Sequence, residues 1–224
     1  PDILVVGEGE GVIAKVVDAA LRAKNFDPKR GARKTALIVG ERVHDMNAMP
    51  LPDWSLAPLE NYPQDKGRTR CVLAISRGCP HKCEFCSVHT IMGYEYRRMS
   101  AKRIAAEIDN AVKYGARKLC FIDDNLLPSV SLASELFDIL DAREDLRLHY
   151  YMEEGLEVRI AAVPGLVAKL KKCKFDNIAI GLETMSATTR KRARKPYNEG
   201  HLVAAAKEFR DAGVVCNAFY VLAL

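Results

Sequence analysis

Residues Arg70–Thr90 read RCVLAISRGCPHKCEFCSVHT. An apolar run ends at Ser76, and three cysteines, Cys79, Cys83 and Cys86, follow within one stretch of eight residues. A short continuous apolar run of this kind marks a strand buried on both faces, as in a parallel sheet. Further runs, KLCFI, LHYYM, NIAIGL and VVCNAFYVLAL, alternate with helical patterns. The first helix has Ser100 as its cap, Ile104, Ile108 and Val112 on one face and Gly115 just past its end. The second carries Leu132, Leu136 and Ile139, the third opens with Pro164, and the last runs from Asn198 to Gly213. Alternation over this length predicts parallel βα units, closed into a barrel or open as a doubly wound sheet. In both, ligand sites collect at the carboxyl ends of the strands. At those ends stand RGCPHKCEFC, Asp123–Asn125, Glu153–Gly155 and the pair Glu183 and Thr184.

Upstream, Ile3 to Val6 reads as another buried strand, followed by glycines and a helix with Val12, Ile13, Val16, Val17, Ala20 and Leu21 on one face. The glycines Gly7, Gly9 and Gly11 lack dinucleotide spacing, and Glu8 and Glu10 would repel a phosphate, so a tight turn into a helix is expected. The organisation expected is residues 1–24 as the end of one α/β domain, 25–68 as a connector, and 69–224 as the main domain. TALIV in the connector reads as one exposed strand, and Pro50, Pro52, Pro58 and Pro63 with Trp54 and Tyr62 describe an extended segment lying on a surface. The chain opens on Pro1 inside an apolar run and stops at NAFYVLAL, so both ends are expected to be cuts through a larger protein.

A chain of 224 residues that is 49% hydrophobic buries at least one full core. Seven unevenly spaced cysteines do not describe a secreted disulfide scaffold, and neither a leader nor a long apolar span is visible, so a cytoplasmic protein with reduced thiols and no transmembrane segment is expected. The net charge is +5, and Arg190, Lys191, Arg192, Arg194 and Lys195 alone supply five positive charges. A general nucleic-acid surface is therefore not indicated. That basic run reads as a solvated helix face, with an arginine facing an anionic ligand as the alternative.

Three cysteines are too few for a four-ligand structural metal site, but three thiolates hold a four-iron cluster while leaving one iron free for a small molecule. Zinc completed by His81 or His89 is the competing assignment. Cys71, Cys120, Cys173 and Cys216 fall in strand or helix patterns and read as core residues.

The spacing of Cys79, Cys83 and Cys86, with Phe85 just before the third, resembles the signature of the radical S-adenosylmethionine (SAM) superfamily. The resemblance covers Thr69 to the end. It implies a partial (β/α) TIM-like barrel, a 4Fe-4S cluster held by the three cysteines, and SAM chelated at the open iron. Reductive cleavage of SAM then gives a 5'-deoxyadenosyl radical that abstracts a substrate hydrogen. DILVVGEGEG is similar to the last strand and helix of the Rossmann-like cobalamin-binding domain that precedes the barrel in one branch, and MPLPDWSLAPLENY resembles its connector. That branch includes hopanoid methylases and the anaerobic ring cyclase of bacteriochlorophyll synthesis. Cobalamin is thus an additional cofactor the resemblance allows; the histidine motif that ligates cobalt in many relatives would precede Pro1.

The resemblance also assigns roles. Phe85 lies near the adenine, Asp123 or Asp124 in the segment ending at Asn125 accepts from the SAM ammonium, Glu183 contacts the ribose, and Asn217 reaches the adenine or the methionine carboxylate. Capping the next helix is the plainer role for the aspartates. Glu153 and Glu154 face the same cavity or stand as solvated loop charges. The activity implied is methylation or rearrangement of an unactivated carbon in a small-molecule or lipid substrate, with a reductant such as flavodoxin or ferredoxin. A radical SAM methylthiotransferase acting on RNA, or a non-enzymatic zinc or iron–sulfur module, are the alternatives.

Overall fold

A computed structural model describes residues 3–23, 36–152, 154–222 and 224. The chain divides into two compact units, Pro1–Asp45 and Met46–Leu224.

In the first unit, strand β1 (Ile3–Val6) leads into helix α1 (Ile13–Ala23), and strand β2 (Ala36–Val39) returns parallel to β1 in the register Ile3↔Ala36 to Val6↔Val39. The TALIV segment therefore pairs with β1, and the unit runs on to Asp45 rather than ending near residue 24. Sequence alone did not show this because a four-residue apolar run carries no record of its partner. Gly7, at φ +90°, packs against Gly40: a Cβ on Gly7 would stand 2.4 Å from the Gly40 carbonyl oxygen. Val12 is buried, whereas Ile13, Val17 and Leu21 on the predicted apolar face are exposed.

The second unit opens with residues 46–68, then strand β3 (Arg70–Leu73), the short strand β4 (Ser76–Arg77), helix α2 (Val88–Ile91) and the short strand β5 (Arg97–Arg98). Helix α3 (Ala101–Lys113), strand β6 (Lys118–Phe121), helix α4 (Val130–Asp141) and strand β7 (His149–Met152) follow. Helices α5 (Val158–Ala161) and α6 (Leu166–Lys172) precede strand β8 (Ala179–Glu183). Helix α7 (Ala187–Arg192), helix α8 (Glu199–Asp211) and strand β9 (Asn217–Tyr220) complete it.

β6 lies between β3 and β7, parallel to both, and β8 pairs parallel with β9. Parallel bridges Tyr150↔Phe175 and Leu156↔Ile180 carry the order from β7 towards β8. All four residues of β6 are buried, which explains its unbroken apolar reading. Its one charge, Lys118, is held by Asp65 at 2.5 Å and Asp176 at 3.0 Å. Phe121, Tyr150 and Phe175 pack their rings at centroid separations of 5.4–6.2 Å across this sheet.

The helix signals work locally as expected. Ser100 accepts from the Arg103 amide, and Ile104 and Ile108 are fully buried. Asn198 and His201 exchange side-chain and backbone hydrogen bonds as a capping box. The proline-rich segment lies along α3: Arg103 donates to the carbonyls of Asn47, Met49 and Pro50 while also binding Glu107 at 2.6 Å, and Asn110 donates to the Pro52 carbonyl at 2.8 Å. Among the described residues, no helix is long and apolar enough to cross a membrane.

Candidate functional site

The chain leaves β3 at Leu73 and β6 at Phe121, and the two exits are tied by Asp123. Its Oδ1 accepts from the amide of Ile75 at 3.1 Å, the amide of Ser76 at 2.5 Å and the Ser76 hydroxyl at 2.5 Å. Asp123 is buried, and burial pushes its carboxyl up to about 7 against the pull of those three donors. The turn that follows requires glycine. Gly78 has φ +81°, and a Cβ there would lie 2.2 Å from the Glu95 carbonyl oxygen.

Beyond Gly78 the cysteine loop wraps a cavity of about 190 Å³. Cys79, Cys83, Cys86, Phe85, Asp124, Asn125 and Glu183 all line it, so most residues the sequence singled out meet in one place. The three thiols are free and partly exposed. Burial pushes the Cys79 and Cys83 thiols up, and the Lys195 ammonium works in the opposite direction on Cys83. Asn125 Nδ2 stands 3.6 Å from Cys79 Sγ, and Asp124 Oδ2 accepts from the Gly78 amide at 2.8 Å.

The opposite wall is the end of β8. Glu183 has φ +60°, and the Thr184 amide bonds the Leu182 carbonyl at 2.7 Å, closing a three-residue turn around it. A left-handed conformation at a non-glycine residue is strained, and it coincides with a register shift between Gly181 and Glu183. Lys195 Nζ lies 3.3 Å from Glu183 Oε1 and 5.9 Å from the centroid of each of the Phe85 and Tyr197 rings. Lys195 and Glu183 are only 11% and 13% exposed, so the pair is screened far less than a surface one.

Asp123 does not line the cavity, because its carboxylate is engaged with Ile75 and Ser76; neither aspartate caps α4, whose cap is Ser129. Asn217 opens β9 level with Ala179, at the amino end of β8, about 13 Å of strand rise from Glu183. It is exposed and does not line the cavity: the apolar run VVCNAFYVLAL begins before the strand does. Cys71, Cys120 and Cys173 are buried, but Cys216 is exposed. Glu154 lines the cavity; Glu153 lies outside the described residues.

Two features had no sequence signal strong enough to find them. The cation facing the cavity is Lys195, not an arginine of the same run, and Arg190 is instead buried against Tyr197 with 5.2 Å from guanidinium to ring centroid. His81 Nε2 meets Glu157 Oε2 at 2.6 Å. Burial works to raise the Glu157 carboxyl, but its bonds to His81 and Arg159 prevail and hold it down to about 2.

Together these features define an α/β protein of parallel βα units with a three-thiol cavity at the carboxyl edge of its strands. The chain belongs to the Radical SAM superfamily, whose family profile matches residues 73–223. It is 27% identical over 201 residues to hopanoid C-2 methylase of Rhodopseudomonas palustris, covering 88% of this chain and 36% of that protein. It is 27% identical over 226 residues to hopanoid C-3 methylase of Methylococcus capsulatus, covering 95% of this chain and 41% of that one. The chain thus spans about two fifths of the length of these relatives or less. The cobalamin-dependent S-adenosylmethionine radical enzyme OxsB, solved with aqua-cobalamin and S-adenosylmethionine bound, shares its fold: TM-score 0.67 at 17% identity, over 96% of this chain and 32% of that one.

A radical SAM domain implies a 4Fe-4S cluster and SAM as cofactors, and the residues present fit them. Three thiols surround one cavity, yet among the described residues no three histidine, cysteine, aspartate or glutamate side chains converge as ligands of a single ion. Of the two histidines the sequence offered to zinc, His81 lines the same cavity with its Nε2 on Glu157 Oε2 at 2.6 Å, and the His89 ring stacks on Tyr94 at a centroid separation of 5.1 Å.

Proposed function

We propose that this chain forms most of the core of an enzyme that reductively cleaves SAM and uses the resulting radical to methylate or rearrange an unactivated carbon of a small molecule or lipid. The observation that carries the reading is the gathering of Cys79, Cys83 and Cys86 around one cavity with Asp124 and Glu183 at the carboxyl ends of parallel strands. Met46–Leu224 is then a partial TIM-like barrel, and the β1–α1–β2 unit the end of a Rossmann-like cobalamin-binding domain. Methylase relatives support the choice of substrate class.

In this reading the three cysteines hold the cluster. When bound, the cluster and SAM supply the electron and the carbon–sulfur bond whose cleavage gives the deoxyadenosyl radical. The chain's own residues orient and shield. Asp124, with one oxygen on the Gly78 amide and one left over, accepts from the SAM ammonium as a charge-assisted bond. Glu183, fixed by its strained turn and by Lys195, meets the ribose hydroxyls. The Lys195 ammonium balances the methionine carboxylate, and Phe85 covers the adenine side while excluding water. A cytoplasmic setting and a flavodoxin or ferredoxin as reductant belong to the same proposal.

The test is anaerobic reconstitution of the full-length protein with iron and sulfide, followed by electron paramagnetic resonance of the reduced protein with and without SAM. A four-iron signal that shifts on adding SAM is expected, and Cys83→Ala should lose both signal and SAM cleavage. A signal indifferent to SAM, or cleavage that survives Cys83→Ala, overturns the assignment.

A further inference from the structure

The cysteine loop has no regular backbone structure from Gly78 to Cys83, yet it must hold thiols at fixed separations. Ordering each such residue costs about 1–2 kcal/mol, so the loop needs fixed points outside itself. It has one at each end. Asp124 and Asn125 hold Gly78 and Cys79, while the Glu84 amide donates to the Ala193 carbonyl at 3.2 Å. An accompanying Arg194–Glu84 pair is well exposed and adds little.

Between those ends, two residues from Cys79 and two from Cys83, is His81. Its contact with Glu157 spans 76 positions of sequence at 2.6 Å, and the two side chains are 21% and 7% exposed. Glu157 occupies the cap position of α5 but bonds no amide of that helix, so its carboxylate is left for His81 and for Arg159. The backbone that carries Glu157 is itself fixed to β8. The Leu156 amide donates to the Ala179 carbonyl at 2.7 Å, and the Gly181 amide donates to the Leu156 carbonyl at 3.1 Å. The middle of the loop is thereby tied to the strand that delivers Glu183.

We propose that His81 and Glu157 form a latch that sets the separation of the Cys79 and Cys83 thiols and thereby how firmly the chain retains its cluster. Both are positioning residues, acting through the cysteines. The inference rests on the reading of the three cysteines as cluster ligands. Partners that orient metal ligands typically contribute about 10- to 100-fold to metal retention, which sets the size of effect to look for.

The test uses the reconstituted full-length protein and the variants His81→Ala, Glu157→Ala, the double variant, and His81→Gln, whose amide reaches the position of Nε2. Cluster loss to a chelator is followed by absorbance, with circular dichroism as the check on folding. Each alanine variant should lose its cluster about 10- to 100-fold faster than the parent. The double variant should be no faster than the worse single, because one interaction is removed in all three. His81→Gln should recover most of the lifetime, which a general loosening of the loop would not allow. Equal lifetimes in parent and alanine variants, or independent multiplying effects in the double, overturn the latch alone. If Glu157→Ala fails to fold, the His81→Ala and His81→Gln pair still decides. A parent protein that takes up no iron overturns the proposed function and the latch with it.

Discussion

Replacing Asp123 with asparagine keeps an acceptor oxygen for Ile75 and Ser76 while removing the ionisation. The folded carboxyl sits near 7 against an ordinary 3.8, with burial the chief cause and Asp124 adding to it. That gap of about three units corresponds to about 4 kcal/mol at about 1.36 kcal/mol per unit. The folded chain holds this proton to higher pH than the unfolded chain does. Its contribution is therefore fully present below pH 3.8 and is lost as the pH rises through about 7. Roughly 2–3 kcal/mol of the loss falls between about pH 5 and pH 8 by the same linkage. Going from the lower to the higher pH, the parent chain should lose that much stability relative to Asp123→Asn, measured as urea midpoints with unchanged slope. Asp123→Ala is the contrast. It strands three buried donors at about 1–3 kcal/mol each whatever the pH. A difference between parent and Asp123→Asn that is the same at both pH values would show that the donors outweigh burial and that Asp123 titrates near its ordinary value.

Arg103→Ala removes the donor that three connector carbonyls share and leaves Glu107, 5% exposed, without its cation; a loss of about 3–5 kcal/mol in urea unfolding is expected, with little recovered by Arg103→Lys, whose point charge cannot span the same acceptors. Lys195→Met should weaken SAM binding to the reconstituted full-length protein about tenfold, the size of one charge-assisted bond, with Lys195→Arg close to the parent; equilibrium dialysis reads both, and an unchanged dissociation constant would remove Lys195 from the ligand's surroundings.

The carboxyl-end rule brought Cys79, Phe85, Cys86, Asp124 and Glu183 together before any coordinates, because strand direction alone decides which end of a run faces the site. Asn217 came from the resemblance and not from that rule; it stands level with Ala179 at the amino end of β8, and register is what converts a position in a strand into a height. Within Asp123–Asn125 the pattern could not tell which carboxylate faces the cavity. Adjacent residues at a strand end point in different directions, and Asp123 is drawn away by amides on β3's exit.

What the amino-acid sequence determined by itself was what depends on near neighbours along the chain: the alternation of strands and helices, the caps at Ser100 and Asn198 and the three thiols on one loop. These follow from periodicity, capping and backbone sterics over a few residues. Only the tertiary structure decided that β2 pairs with β1, that Lys195 rather than an arginine enters the cavity, and that His81 meets Glu157. Each is a contact between segments whose separation is fixed by parallel pairing and packing, and no local pattern records which distant side chain will arrive opposite.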